Sequence, residues 1–498
     1  MSIEANKSSR RCAALPVISV AAVVAALLAG CSYRMDRVEN PVQMPAKWDA
    51  TLTPNAKEGI PREWWKNFGS EQLNALIEEA FKSNPNIIAT EERLKQAERT
   101  ISQAHDGLFP DLSVSAGTNK SRTARNAEGL TGNRSTTVTN SESTSLSFST
   151  SYSVDLWGAT AARYRQSVAS FIGTRYDADL AHIQLAQSIA RSYFNLLSTR
   201  SQLQISRGNL EVAESQLRIV DARVRNGVAR EFERLQQQTT LQNQRTQLIT
   251  QENSLRAAET ALGLLLGRTP QDFHIDGGPE LINQLTVPEI APWVPGELLA
   301  RRPDIASAET DMASAKANIV VARASLIPIS LNLSSSYGTS SPDLLALSLT
   351  DPRTFSLSGA LNLATGIFNY RGRHNAYLTA KSNEYIATIN YAQTIRTALK
   401  DVDDRLANVN AQMLVEQSQL ATVQQSEESY RQVQAENLNG TATQQEVLQA
   451  QQQLFSARDA LSRARITRLN SVIDLYVALG GGWEGPTAED LAMLQPPK

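Results

Sequence analysis

The residue with the clearest covalent chemistry is Cys31, which closes the short motif Leu28-Ala29-Gly30-Cys31. This motif matches the bacterial lipobox, in which small residues before the cysteine fit the narrow groove of a signal peptidase. After cleavage, the Cys31 thiol can carry a thioether-linked diacylglycerol, and the freed amine can carry a further acyl chain. Each buried CH₂ contributes about 0.8 kcal/mol, so several chains together make a durable membrane anchor. We therefore predict lipidation at Cys31.

The segment before the lipobox has the layout of a secretory signal peptide. A basic stretch from Lys7 to Arg11 precedes an apolar run, Ala13–Ala29, that is too short for a comfortable membrane-spanning helix. We assign residues 1–30 to the signal peptide and residues 31–63 to a lipid-anchored tether, whose four prolines favour an extended chain. An ordinary signal peptide followed by an incidental cysteine is the alternative.

The rest of the chain has no residue pattern that an enzyme or a metal site needs. The four histidines are scattered singly, at His105, His182, His274 and His374. The adjacent carboxylates Asp403-Asp404 and Glu427-Glu428 lie on predicted helices and point apart, as exposed charges do. The sequence shows no glycine-rich phosphate loop and no Gly-x-Ser-x-Gly motif. We predict no enzymatic activity, no metal and no cofactor beyond the lipid on Cys31.

Composition excludes two further classes of protein. The 498 residues include 48 Lys+Arg and 50 Asp+Glu, a balance that argues against a nucleic-acid binder. Only two cysteines are present, Cys12 and Cys31, and both lie at the N-terminus, so a disulfide-stapled domain is excluded. After residue 30 no apolar run reaches the roughly 20 residues of a membrane helix. Any bilayer-crossing part of the mature chain would then have to be a closed β-barrel.

The elements that position these features occur twice along the chain. The proline pairs Pro85/Pro303 and Pro110/Pro328 are each 218 residues apart, and the glycine pairs Gly227/Gly440 and Gly267/Gly480 are each 213 residues apart. Such constant spacing indicates an internal duplication. We divide the body into repeat 1 (64–290), repeat 2 (291–485) and a C-terminal tail (486–498).

Each repeat has the same predicted order of elements: a helix, a β-hairpin and a long helical hairpin. The helices are about 71–107 and 299–326, the β-hairpins about 111–156 and 329–364, and the long hairpins about 159–267 and 372–480. Alternation such as Leu146-Ser147-Phe148-Ser149 gives a strand one apolar and one polar face, which suits a membrane barrel or a half-buried soluble sheet. The polar stretch Asn119–Asn140 is predicted to be an exposed loop.

The long helices have the periodicity of a coiled coil. Apolar residues from Ala392 to Val423 recur at alternating steps of three and four, interrupted once by Glu416. A helix over 159–226 would be about 100 Å long, and the two shorter helices of repeat 1, placed end to end, would match that length. We therefore predict a helical wall crossed at mid-height by the segment 268–298.

The predicted strands cannot close a barrel within one chain. Four strands leave two unpaired edges, and an open sheet edge cannot lie in lipid. Other copies of the chain must complete the sheet. Three copies would give 12 strands around a lumen, although this argument requires oligomerisation without choosing the number three.

Over residues 60–485 the chain resembles the outer membrane factor (TolC-like) family of lipoprotein efflux channels. The resemblance rests on the following motifs: Trp64-Trp65-Lys66-Asn67-Phe68-Gly69, Asp155-Leu156-Trp157-Gly158, Ala190-Arg191-Ser192-Tyr193-Phe194-Asn195-Leu196-Leu197, Arg302-Pro303-Asp304-Ile305 and Ala478-Leu479-Gly480-Gly481-Gly482-Trp483. It implies a mixed α+β membrane protein, a homotrimer with a 12-stranded barrel above a periplasmic α-helical barrel. It further implies a passive exit duct for drugs or other toxic solutes in a tripartite RND-type efflux system, with a periplasmic adaptor and an inner-membrane pump as partners.

The resemblance also suggests roles for particular residues. Ser32, standing where Asp would favour retention at the inner membrane, implies export to the outer membrane. Gly227 and Gly440 would mark the adaptor-docking hairpin tips, and the residues beside them are Val224, Val228 and Thr441. Relatives often carry a gate Asp nine residues after the second tip glycine, but this chain has Gln449 there. Glu446 is the nearest acid, so we expect it to line the periplasmic constriction, the alternative being an ordinary solvated carboxylate.

A periplasmic coiled-coil lipoprotein without a channel, structural or adaptor-like, is the rival interpretation. An adaptor normally has one helical hairpin flanked by compact β domains. Two hairpins interleaved with two strand pairs favour the channel.

Overall fold

A computed structural model describes residues 42–45, 48, 60–128, 134–269, 271, 273, 275, 285–288, 295–327, 329–341, 354–362 and 370–493. Cys31, the signal peptide and most of the tether lie outside these residues, as does most of the crossing segment 268–298. None of the helices in the described part of the chain is long and apolar enough to cross a membrane.

The described chain consists of eight α-helices and four strands. The helices are α1 (Glu71–Ser83), α2 (Pro85–Asp106), α3 (Ala159–Arg225), α4 (Glu231–Leu265), α5 (Pro303–Ala324), α6 (Tyr370–Leu438), α7 (Gln444–Ala478) and α8 (Ala488–Met493). The strands are β1 (Asp111–Glu128), β2 (Arg134–Val154), β3 (Ser330–Ser341) and β4 (Thr354–Asn362). Short 3₁₀ turns, Trp64–Phe68 and Glu297–Ala300, precede the first helices of the two repeats.

The four strands form one antiparallel sheet in the order β1-β2-β3-β4. The two predicted hairpins are therefore joined through the pairing of β2 with β3, which runs from Thr144↔Ser341 to Val154↔Leu331. In the single chain β1 and β4 are the edge strands. The sheet thus keeps two free edges, as the count of four strands predicts.

The prediction of an exposed loop over Asn119–Asn140 is wrong, because residues 119–128 and 134–140 belong to the strands β1 and β2. β1 and β2 continue their pairing without a break through Asn119↔Ser143 and Lys120↔Glu142 to Glu128↔Arg134. Both faces of this extension are polar, so its hydropathy resembles that of a loop. Polar residues can still form strands, since the backbone hydrogen bonds of a ladder do not depend on an apolar face.

The predicted single helix 71–107 is also corrected, because it divides at Asn84. Pro85 has no N–H and disfavours a helical conformation in the residue before it. Asn84 accordingly has an extended backbone, with ψ 124°. Its Oδ1 accepts hydrogen bonds from the N–H groups of Asn86 (2.8 Å) and Ile87 (3.3 Å), so Asn84 ends α1 and caps α2.

The two repeats form equivalent helix junctions, beside Pro85 and Gly267 in repeat 1 and beside Pro303 and Gly480 in repeat 2. In repeat 1, the end of α4 lies against the start of α2, where the Asn84 Nδ2 donates to the Leu265 carbonyl at 2.7 Å. In repeat 2, the end of α7 lies against the start of α5, where an Arg302 guanidinium nitrogen donates to the Ala478 carbonyl at 2.7 Å. Each pair of short helices thus joins end to end, as their lengths predict.

The main apolar core lies around these helix junctions. Trp64, Phe68, Tyr193 and Phe194 are almost completely buried there. Trp64 stacks on Tyr476 with 5.4 Å between ring centroids, which makes it a packing residue. The core therefore ties the first turn of the described body to both long hairpins.

The predicted C-terminal tail contains a short helix, α8, that packs back on the body. Thr487 caps this helix by accepting a hydrogen bond from the Asp490 N–H (3.2 Å), and the Asp490 carboxylate accepts in return from the N–H (2.9 Å) and the hydroxyl (2.7 Å) of Thr487. The same carboxylate pairs with Arg175 of α3 at 2.7 Å. These polar contacts hold the end of the described chain against α3.

Candidate functional site

The tip of the first helical hairpin is built on Gly227, directly after the end of α3. Its φ of 72° lies in the left-handed region, where glycine has no Cβ penalty. The Gly227 N–H donates to the Val224 carbonyl (3.0 Å), and the Val228 N–H donates to the Arg223 carbonyl (2.8 Å). This pair of bonds is the Schellman arrangement, which satisfies the last carbonyls of a helix.

The tip of the second hairpin has the same geometry around Gly440, whose φ is 80°. The Gly440 N–H donates to the Asn437 carbonyl (3.1 Å), and the Thr441 N–H donates to the Glu436 carbonyl (2.9 Å). A β-carbon at Gly440 or Gly227 would meet no atom within 4 Å. The two glycines thus mark equivalent, open ends of the two hairpins.

Exposed apolar side chains lie beside the first tip, and sequence reasoning missed most of them. Val228 is 69% exposed, Phe232 65% and Leu235 52%. Phe232 and Leu235, three residues apart, lie on one side of α4, and Val228 lies in the turn before it. A signal was available in the sequence, since Val228 directly follows the tip glycine and Phe232 and Leu235 recur at helical spacing among charged residues. On the second tip Leu438 is 74% exposed, so both tips carry exposed apolar side chains.

The two tips are linked through Asn437. A guanidinium nitrogen of Arg223, on α3, donates to the Asn437 Oδ1 at 2.9 Å. The Asn437 Nδ2 donates to the Ala442 carbonyl at 2.8 Å. This side chain therefore bridges the end of the first hairpin and the turn of the second.

The candidate gate residues Glu446 and Gln449 lie on the first turns of α7, and both are exposed in the single chain. Glu446 forms a capping box with Thr443: its carboxylate accepts from the Thr443 N–H (2.6 Å) and hydroxyl (2.8 Å). These hydrogen bonds lower the pKa of Glu446. Glu446 thus stabilises the start of α7, and its role at a constriction stays a prediction.

The interior between the hairpins is polar toward the tips. Gln237 and Gln451 are completely buried, and Gln444 is nearly so. Neither side-chain polar atom of Gln444 or Gln451 has a hydrogen-bond partner. An unsatisfied buried polar group costs roughly 1–3 kcal/mol. We call the part of the hairpins nearest Gly227 and Gly440 the tip half. Its interior is therefore packed less favourably than the apolar core that contains Ile395 and Val402.

The sheet presents an exposed apolar face at the opposite end of the long helices. Leu112 is 73% exposed, Phe355 69% and Leu357 75%. The pairing Val114↔Phe148 and the register beyond it place these residues on the same face. A contiguous exposed apolar surface of this kind marks contact with a membrane or a partner.

Among the described residues, no group of three or more histidine, cysteine, aspartate or glutamate side chains is arranged to hold a metal ion.

Comparison with known proteins places these features in a family. A family model described as outer membrane efflux protein matches residues 76–268 and 294–481. The pyoverdine export outer membrane protein OpmQ of Pseudomonas aeruginosa is 31% identical over 462 residues, covering 92% of this chain and 95% of that protein. The cation efflux system protein CusC of Escherichia coli is 27% identical, covering 93% of this chain and 98% of its own. The solved structure of the outer-membrane channel OprN, 23% identical, matches with a TM-score of 0.80 over 91% of this chain and 100% of its own.

Proposed function

Because the chain belongs to the outer membrane efflux protein family, we propose that three copies form one continuous exit duct. Membership makes the protein an outer-membrane component of an efflux system that extends into the periplasm. In the proposal, the duct is passive and has no enzymatic activity. It receives solutes from a periplasmic adaptor and an inner-membrane pump and releases them outside.

The observation that carries the proposal is the open sheet with an exposed apolar face. β1 and β4 are edge strands in the single chain, and their backbone groups need partners before the sheet can lie in lipid. Pairing β4 of one copy with β1 of the next satisfies both edges. Three copies then supply 12 strands, with Leu112, Phe355 and Leu357 facing lipid.

Below the sheet, the long helices supply the periplasmic tunnel. The 67 residues of α3 and the 69 residues of α6 each span about 100 Å. Gly227 and Gly440 lie at the far ends of these helices, where an adaptor would dock against Val228, Phe232 and Leu438. Lipid chains on Cys31 would hold the tether in the inner leaflet of the outer membrane.

Opening of the duct is assigned to the tip half of the hairpins. Gln444 and Gln451 are buried with unpaired polar atoms, so a rearrangement that gives them water or new partners recovers part of their desolvation cost. Adaptor binding at the tips would bias the coiled coil toward that arrangement.

We propose that the pump, and not the duct, selects the transported solute. The relative OpmQ is named for pyoverdine export and the relative CusC for cation efflux. Both match this chain over most of its length. A common duct that serves different pumps explains this combination.

Two experiments test the proposed duct: detection of the trimer in outer-membrane fractions and measurement of ion conduction in a planar bilayer. We expect a heat-modifiable trimer in outer-membrane fractions, and ion conduction once the tips are loosened by substitution of Arg223. A monomer in mild detergent that conducts no ions would overturn the proposal. Recovery in the inner-membrane fraction would favour the adaptor-like alternative.

Glu446→Gln tests the proposed gate without removing the helix cap, since glutamine also serves at this position of a capping box. If Glu446 lines the constriction, we expect weaker cation selectivity, measured as a smaller reversal potential in a KCl gradient. Gln449→Glu, one turn further on, should shift the reversal potential the opposite way. An unchanged potential in Glu446→Gln would identify Glu446 as an ordinary surface carboxylate.

The pKa of Glu446 also predicts a pH dependence of the cap. Because hydrogen bonds to Thr443 lower the pKa of Glu446, the carboxylate stabilises the folded helix start above its unfolded pKa. That contribution is lost as pH falls through the lowered pKa. Glu446→Gln should remove this part of the pH dependence, which hydrogen exchange at the start of α7 would measure.

A further inference from the structure

Asparagine followed directly by glycine occurs twice in the chain, and both pairs lie at the hairpin tips. Asn226-Gly227 follows α3, and Asn439-Gly440 follows α6. All four residues are exposed in the single chain. The same local chemistry is therefore open to water at equivalent positions of the two repeats.

An Asn-Gly pair can undergo a reaction between its own two residues. The glycine nitrogen, as it loses its proton, attacks Cγ of the asparagine. A C–N bond forms and closes a succinimide ring, while the bond from Cγ to the side-chain nitrogen breaks and ammonia leaves. Water then opens the ring at either carbonyl and leaves aspartate or isoaspartate. Glycine favours the attack because it has no Cβ to obstruct the approach.

The folded tips hold the attacking nitrogen away from this reaction. The N–H groups of Gly227 and Gly440 donate to the carbonyls of Val224 (3.0 Å) and Asn437 (3.1 Å). Asn226 has a ψ of 5°, which places the Gly227 nitrogen on the side of the Cα–C bond where the Asn226 nitrogen lies, away from Cβ. The hydrogen bond must therefore break and this dihedral must rotate before the ring can close.

Two side chains hold the second tip closed. The Asn437 Nδ2 donates to the Ala442 carbonyl at 2.8 Å, across the turn. The Thr441 hydroxyl donates to the Glu436 carbonyl at 3.0 Å, back to the end of α6. Opening this tip therefore breaks side-chain hydrogen bonds in addition to those of the backbone.

The helices that follow the two tips also start differently. α7 begins with the capping box of Thr443 and Glu446, three residues after Gly440. At the start of α4, the N-cap residue Arg230 makes no side-chain cap hydrogen bond. A helix start without a cap opens more readily, so the first tip should open more often than the second.

We propose that Asn226 and Asn439 are sites of spontaneous deamidation controlled by opening of the tips, and that Asn226 converts faster. Each conversion replaces a neutral amide with a carboxylate. At the first tip the new charge lies close in sequence to Arg223, Arg225 and Arg230. Isoaspartate also lengthens the backbone by a methylene, which is incompatible with the Schellman bonds. The modification needs no partner and no assembled duct, so it goes beyond the proposed function.

Peptide mass spectrometry of the purified full-length lipoprotein tests the proposal. The protein is incubated in mild detergent and warm, mildly alkaline buffer, and conversion is read from the amide-to-acid mass gain and the paired aspartate and isoaspartate peptides. We expect Asn226 to convert at least about threefold faster than Asn439, the effect of one or two additional hydrogen bonds. Asn470, which precedes Ser471 within α7, is the internal control and should remain an amide.

Two variants and an unfolded control separate the tip structure from the local sequence. Thr443→Ala removes the capping box and should raise the Asn439 rate by about threefold or more, with the Asn226 rate in the same molecules unchanged. Thr441→Val, which removes the hydroxyl bond to Glu436, should act in the same direction. In urea, both tips of the wild-type chain should convert at similar rates, and faster than in the folded protein.

Several results would overturn the inference. One is conversion of Asn439 as fast as that of Asn226 in the folded protein. A second is an Asn439 rate that neither variant raises. A third is the same preference for Asn226 in urea, which would assign the difference to local sequence. Intact amides at both folded tips, after the unfolded chain has converted fully, would show that the tips do not open enough to react.

Discussion

Replacing Gly480 with alanine is expected to abolish the folded trimer. Gly480 follows the end of α7 with φ 100°, and a β-carbon there would overlap the carbonyl oxygen of Arg301. The left-handed backbone alone costs a non-glycine residue about 1–2 kcal/mol. The overlap adds to this cost, because the helix end must move away from the Arg302 guanidinium that holds the Ala478 carbonyl. We expect a total on the order of 4 kcal/mol or more.

Gly440→Ala is the matched control for this prediction. Its φ is also positive, at 80°, but a β-carbon would meet nothing within 4 Å. The expected cost is therefore about 1–2 kcal/mol, and trimer levels should be close to normal. Gly267→Ala should lie between them, since its β-carbon would be 2.5 Å from the Ser83 carbonyl oxygen. The measurement is the yield and melting temperature of the trimer in outer-membrane extracts. Equal losses in Gly480→Ala and Gly440→Ala would contradict the argument.

Trp64→Ala is expected to produce the second large effect, a loss of about 3–5 kcal/mol, as is usual when a buried large aromatic is truncated. The Trp64 ring is completely buried. It stacks on Tyr476 and meets Trp65 and Phe68 edge-on, with centroids 5.8 and 6.2 Å away. Truncation would leave a cavity at the junction where both repeats meet, and the loss should appear as a lower melting temperature of the trimer.

Trp64→Phe separates aromatic packing from the indole N–H. The Trp64 Nε1 is buried and has no hydrogen-bond partner, so removing it relieves an unsatisfied donor while the ring contacts are partly kept. We expect a cost of roughly 1–2 kcal/mol, well below that of alanine. If phenylalanine were as damaging as alanine, the N–H would have to make a hydrogen bond that stabilises the junction.

Elements with strong periodicity were predicted closely. The long helix expected over 159–226 is α3, Ala159–Arg225, and the long hairpin expected over 372–480 consists of α6, Tyr370–Leu438, and α7, Gln444–Ala478. Their bounds were readable because a sustained heptad pattern identifies a helix and an Asn-Gly pair identifies its end. The expected family was confirmed as well, since its motifs extend over most of the chain.

Features that depend on distant partners were not predicted. The sequence does not show that β2 pairs with β3, because alternation specifies faces and not neighbours. The contact of Arg223 with Asn437 joins residues 214 positions apart, and that of Arg175 with Asp490 joins residues 315 apart. The polar β1–β2 extension resembles a loop in sequence because its hydropathy carries no apolar period.

The amino-acid sequence by itself determined the local matters: where the long helices begin and end, and which positions repeat. These depend on residue type and short-range spacing. Processing and lipidation at Cys31 stay a prediction from the sequence. Only the tertiary structure decided what each repeated position touches. Gly440 and Gly480 both follow a long helix and both have a positive φ, yet one is open to solvent and the other abuts the Arg301 carbonyl. The physical reason is that close packing is set by which surfaces meet, and that choice is made by the whole chain at once.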